Sequence, residues 1–160
     1  MSDLSHINKD DQPEMVDVSA KDKTVRSATA RSRINVGREI MKKLNDDDFI
    51  TAKGSLIHTT IIAAQMAAKK TSDLIPLCHP IAMTACTIKV EVIDDQRIEV
   101  LCTVKTKDRT GVEMEALTGA SVGTLTIYDM VKALSHDICI EETRLLKKTG
   151  GKSDYAYQTS

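Results

Sequence analysis

The stretch KDRTGVEMEALTGASVGTLTIYDMVK, residues 107–132, decides how the rest of the chain is arranged. Glu113 and Glu115 open it and an Asp129/Lys132 pair closes it, while Ala116 to Tyr128 carries only small, apolar and hydroxyl side chains. An ordinary surface helix carries charge along its outer face. This one reads as a helix buried on most sides, with its charges kept at the two ends. Gly119 and Gly123 each lower helix propensity by about 1 kcal/mol relative to Ala, but their spacing lets another backbone come close. A helix over Val112–Leu134 would be roughly 33 Å long, which sets Glu115 and Asp129 about 21 Å apart. One small-molecule site in one subunit cannot hold both. Either they serve unrelated purposes, or each helix end contributes to a composite site made with a neighbouring chain. The uncharged middle favours the second, because a single sheet would cover only one side of it.

Alternation and turn residues place the other elements around this helix. Thr24 to Val36 reads as a strand whose Arg26, Arg31 and Arg33 would blunt a sheet edge, or meet an anionic ligand or a partner subunit. Gly37 to Leu44 fits a short amphipathic helix ended by Asn45 and the acidic loop Asp46–Asp48, which lacks the Gly and terminal Glu of a calcium loop. Ser55 to Lys70 is a second, stronger helix. Met83–Ile93 and Arg97–Lys107 alternate on either side of Asp94-Asp95-Gln96, a hairpin signal, and Asp137–Leu146 closes the set as a last strand. The order strand, helix, strand, strand, helix, strand is that of a split β-α-β, ferredoxin-like α+β domain. The expected architecture is an antiparallel sheet with both helices on one face. Residues 1–14 are expected as a mobile polar tail, 15–153 as one catalytic domain and 154–160 as a C-terminal tail.

Composition narrows the function. With 160 residues the chain is long enough for one real core, and its formal net charge of −1 creates no field that would recruit nucleic acid or a membrane. One Phe, three Tyr and no Trp offer little for stacking bases. Cys78, Cys86, Cys102 and Cys139 show no zinc-ligand spacing, and the last three sit in apolar or alternating runs that suit small buried residues. No apolar run approaches membrane-spanning length and no signal peptide is visible, so a reducing cytoplasm is expected. Neither a metal nor a cofactor is called for.

Three places carry chemistry. Pro76 and Pro80 hold Leu77, Cys78 and His79 on an extended, stiff backbone, where His79 reads equally as structural or as a ligand. Asp129 and Lys132, three apart on one helix face, form either a surface ion pair contributing a few tenths of a kcal/mol or a proton-transfer pair. Beside buried small residues, their pKa values would be expected to move toward neutrality. Lys53 stands next to Gly54 at a helix approach, where it could meet a phosphate. In the basic segment 147–153, Lys148 and Lys152 with Gly150 and Gly151 read as a flexible end or as a phosphate contact.

Residues 110–117 (TGVEMEAL), 125–130 (LTIYDM) and 74–80 (LIPLCHP) resemble the signatures of the cyclic pyranopterin monophosphate synthase family, and weaker likeness extends from Met15 to Ser153. The resemblance implies a lyase of molybdenum cofactor biosynthesis. It would convert 3′,8-cyclo-7,8-dihydroguanosine 5′-triphosphate to cyclic pyranopterin monophosphate and pyrophosphate. It also implies the ferredoxin-like architecture and a hexamer built as a trimer of dimers, with sites between subunits. Carried onto this chain, it assigns Asp129 and Lys132 to proton transfer, with Lys53 as a further acid or phosphate holder. Leu77, Cys78, His79, Met114 and Glu115 would bind the substrate, with Glu113 nearby, while Lys69, Lys148 and Lys152 would surround the departing pyrophosphate. Gly119 and Gly123 stand where the family pattern suggests at least one Ala, which bears on helix rigidity and not on the chemistry. A different class remains open at this point: a non-catalytic module of the same fold that binds a nucleotide or small anion with the same lysines. An RNA-binding module fits poorly, given the neutral charge and the lack of sheet aromatics.

Overall fold

The computed structural model describes residues 12–158, so most of the polar segment expected as an N-terminal tail lies outside the described residues. In chain order the elements are β1 (Thr24–Asn35), α1 (Arg38–Asp46), β2 (Ile50–Thr51), β3 (Gly54–Ser55), α2 (Leu56–Lys69) and α3 (Thr71–Leu74). They continue with β4 (Met83–Val92), β5 (Arg97–Asp108), α4 (Glu113–Val131), β6 (Cys139–Thr149) and β7 (Tyr155–Ala156). The sheet order is β4-β5-β1-β6-β7, and every neighbouring pair is antiparallel. The fold is thus α+β, with α2 and α4 packed on each other and against the sheet.

The alternation of β1 sorts its two faces. Ala28, Ala30, Ser32 and Ile34 are buried under the helices, and three of these four are small, so α4 can lie close to the strand. The helix reciprocates with Gly119, Ala120, Gly123 and Thr124, all buried. A Cβ on Gly119 would stand 3.1 Å from the Ala64 carbonyl of α2, and one on Gly123 would stand 2.7 Å from Val100 of β5. The two glycines therefore serve two contacts: one brings a helix backbone near, the other seats α4 on the sheet. A chain of hydroxyls crosses this layer: Ser32 Oγ lies 2.8 Å from Thr124 Oγ1 and 2.9 Å from Thr143 Oγ1. Thr124 donates to the Ser121 carbonyl at 3.0 Å. Because a carbonyl only accepts, the donors run Thr143 to Ser32 to Thr124 to Ser121, and every buried oxygen along it is satisfied.

The opposite face of β1 carries Arg31 and Arg33, and here the structure corrects the sequence reading. β1 is a central strand, not an edge. Arg33 pairs with Glu99 at 2.7 Å and Arg31 with Glu142 at 2.9 Å across neighbouring strands, while the Arg144 guanidinium stacks 4.0 Å from the Tyr157 ring. Arg26, on the helix side, donates through Nε to the Asp108 carbonyl at 3.1 Å. Three further details differ from expectation. Lys147 and Lys148 belong to β6 and are not part of a loose end, Tyr155–Ala156 add a short strand beside them, and Cys139 is exposed. The hairpin between β4 and β5 forms as read, with Asp94 Oδ1 accepting from the backbone N–H of Gln96 and Arg97.

Candidate active site

The candidate side chains gather at the two ends of α4, whose 19 residues span roughly 28 Å. At its N-terminal end lies a cavity of about 360 Å³ lined by Leu77, Cys78, His79, Met114 and Glu115, with Gly111 and Glu113 at one wall. The segment expected to be extended instead turns after Ile75, with the Cys78 N–H donating to the Ile75 carbonyl at 3.1 Å, and this turn brings three of the sequence-predicted binding residues against the start of the helix. His79 Nε2 lies 2.8 Å from the Val16 carbonyl, so Nε2 carries the proton and the ring is fixed in one orientation. Val16, Val18 and Lys21, which complete the wall, were not singled out by sequence reasoning. Their only signal is the short alternation that begins at Met15.

Burial shapes the chemistry of this cavity. Glu115 is 4% exposed, and desolvation pushes its carboxyl above the ordinary range, with the negative charge of Glu113 adding to the rise. The Cys78 thiol is likewise raised, first by burial and then by Glu115. A thiol held up in this way is a poor nucleophile at neutral pH.

A second cavity of about 160 Å³ shares Gly111 and Glu113 with the first. Arg26, Lys148 and Lys152 line it with Gly151, and Glu113 reaches Lys148 at 3.2 Å. Lys148 and Lys152 are therefore together, as their spacing suggested, and Arg26 joins them from β1. Lys69 stands elsewhere. It lines a hollow with Cys86 and Ile81, and Ile81 also borders the first cavity.

The C-terminal end of α4 holds the other group. Asp129 receives the Lys132 amine at 2.8 Å on one carboxylate oxygen and the Lys53 amine at 2.7 Å on the other, and Lys53 also donates to the Asp129 carbonyl at 2.7 Å. Lys53 reaches it from the β2–β3 turn. There Thr51 Oγ1 accepts the Lys53 backbone N–H and Gly54 adopts a φ of 106° that L-residues rarely take. The expected movement toward neutral pKa values does not occur. Hydrogen bonds from Lys132 and then Lys53 hold Asp129 at about 2, and the same contact raises Lys132. The physical reason is exposure: all three side chains are more than half exposed, so the hydrogen bonds outweigh the opposing desolvation. The structure thus keeps the Glu115 and Asp129 ends of the helix apart in one chain.

An α+β protein that sets a cation-lined hollow beside a motif-lined cavity, and a carboxylate between two amines, has the makings of an enzyme acting on a phosphate-bearing small molecule. The chain belongs to the MoaC family, whose model matches residues 15–151. It is 48% identical over 151 residues to the cyclic pyranopterin monophosphate synthase of Xanthomonas oryzae pv. oryzae, covering 94% of this chain and 92% of that one. The synthase of Desulfitobacterium hafniense is 43% identical over 153 residues, covering 96% and 93% of the two chains. Molybdenum cofactor biosynthesis protein 1 of Dictyostelium discoideum is 45% identical over an alignment 169 positions long, which covers 95% of this chain but 27% of that longer protein. Among the described residues, no helix is long and apolar enough to cross a membrane.

Proposed function

We infer that the chain is a lyase of molybdopterin biosynthesis that forms cyclic pyranopterin monophosphate from 3′,8-cyclo-7,8-dihydroguanosine 5′-triphosphate and releases pyrophosphate. The observation that carries this reading is the pair of cavities sharing Gly111 and Glu113. The first is of a size to hold a fused ring system between Leu77, Cys78, His79, Met114 and Glu115. The second offers Arg26, Lys148 and Lys152 to a polyphosphate, while Lys69 lies beside the first cavity, in the hollow that shares Ile81 with it. As the phosphate cyclises, charge builds on the departing pyrophosphate oxygens, where fixed cations stabilise it.

Ring opening and closure need proton donors and acceptors, which Asp129, Lys132 and Lys53 supply from a second subunit. Covering the C-terminal end of α4 with another copy removes water from the three groups. The carboxyl then rises from its present low value toward the range where it can take a proton. The assembly proposed is a hexamer made as a trimer of dimers, and the fold is ferredoxin-like. The strand order supports the fold, because β5 lies between β1 and β4 and is antiparallel to both, as a split β-α-β unit requires.

The test is a mixing experiment. Asp129→Asn and His79→Ala are each expected to lose turnover of freshly made substrate while keeping the wild-type circular dichroism. Co-refolded in equal amounts, they restore about a quarter of wild-type activity, the fraction of sites that random assortment builds from two intact halves. No recovery would remove the shared site. Near-normal turnover by Asp129→Asn would remove Asp129 from the mechanism, and ligand binding by wild type without either product would favour the non-catalytic module.

A further inference from the structure

Glu113 stands where a carboxylate is least expected in a phosphate site. It borders both cavities, and its partner is Lys148, one of the cations of the second. Both side chains are about one-third exposed. A triphosphate entering this hollow meets a resident negative charge at bonding distance from one of its own ligands. Such an arrangement opposes binding unless the carboxylate moves away.

Gly111 shows that the carboxylate has a built seat. A Cβ on Gly111 would collide with the Glu113 carboxylate, so the group rests against the glycine where any other residue would place its side chain. Gly111 is not among the residues with positive φ, so the turn itself does not demand glycine. The space a side chain there would take is filled by the end of the Glu113 side chain. The seat, the ion pair and the position on the shared wall are three independent features of one side chain.

We propose that Glu113 is a built-in competitor for the phosphate subsite: it occupies Lys148 in the empty site, yields to the substrate's polyphosphate, and returns to Lys148 as pyrophosphate leaves. This role rests on the reading of the second cavity as the phosphate subsite. Electrostatically, Glu113 lowers the attraction of the empty hollow for stray anions and shortens the stay of the product. A longer substrate, anchored also by its ring system in the first cavity, outcompetes it. Pyrophosphate alone competes with it less well.

Calorimetric titration of the full chain with pyrophosphate in magnesium-free buffer at low salt tests this directly. Glu113→Gln is expected to bind pyrophosphate about three- to fivefold more tightly than wild type, the range of a part-exposed ion pair. Gly111→Ala, which evicts the carboxylate from its seat without removing it, shifts binding the same way. Adding Lys148→Gln to Glu113→Gln cancels the gain, and rising salt erodes it. In turnover assays Glu113→Gln becomes more sensitive to added pyrophosphate. Equal or weaker pyrophosphate binding by a folded Glu113→Gln variant would overturn the proposal while leaving the phosphate subsite in place. Absence of pyrophosphate binding in wild type and variants alike would remove the subsite itself, and the proposal with it.

Discussion

Replacing Gly119 by Ala sets two well-known effects against each other at the contact that positions α4. Helix propensity alone favours the change by about 1 kcal/mol. Against it, the new methyl would lie 2.7 Å from Cys102 Sγ, 3.1 Å from the Ala64 carbonyl and 3.4 Å from Ala68 Cβ. The sulfur belongs to a fully buried side chain of β5, and the carbonyl is backbone within α2, so neither can yield without moving an element. Overpacking of this kind costs about 1–3 kcal/mol. The expected net is a destabilisation of about 1 kcal/mol, or about 2–4 °C in Tm for a chain of this size. Urea and thermal unfolding at one fixed protein concentration measure it, since assembly would make both depend on concentration. A cycle with Cys102→Ala separates the obstacles: losing the sulfur should recover part of the cost, and the carbonyl retains the rest. A Gly119→Ala variant with a higher Tm than wild type would refute the argument that this glycine is kept for close approach.

Two further perturbations address the ends of the same helix. Glu115 has its carboxyl raised from an ordinary value near 4.5 by burial. As pH climbs from that value through the native one, the unfolded chain has released a proton that the folded chain still holds, so stability falls across the window. Glu115→Gln should therefore gain in urea midpoint relative to wild type at pH 8 compared with pH 4, and a pH-independent difference would contradict the raised carboxyl. At the other end, Lys132→Ala removes the largest cause of the low Asp129 pKa, which should climb from about 2. Carboxyl carbon shifts followed against pH measure it, and an unchanged value would mean that Lys53 suffices alone.

How far the sequence could be read depended on whether a feature was local. Ala28, Ala30, Ser32 and Ile34 alternate within one strand, and the Asp94 turn signal lies within three residues, so both were legible. The β2–β3 pair has two residues per strand, too few to show a period, and it was missed. Strand order depends on pairings between distant segments, such as β1 with β6, which is why the arginines of a central strand looked like edge charges. The end of β6 was misread for a related reason. Lys147 and Lys148 sit before two glycines and resemble a loose basic tail, yet backbone pairing with β1 and β7 carries the strand through them.

The site divides along the same line. Asp129 and Lys132 lie three residues apart and their contact could be inferred, whereas Lys53 arrives from 76 residues away by way of a turn that left no periodic signal. Their pKa values were misjudged because small apolar neighbours along the helix suggested burial, and burial is decided by what lies across the helix, not along it. Sheet and helix neighbours cover α4 through β1, β5, β6 and α2. What they leave is a narrow stripe, with Met114 38% and Leu125 57% exposed and Asp129 open at its end. No charged residue interrupts that stripe between Glu115 and Asp129. Among the described residues, nothing covers this uncharged stripe from the rim of the binding cavity to the Asp129 triad. If Asp129 is to work as a proton acceptor, a surface that the described residues do not supply has to desolvate it, and a neighbouring copy lying along that stripe would align its ends with both halves of the site at once.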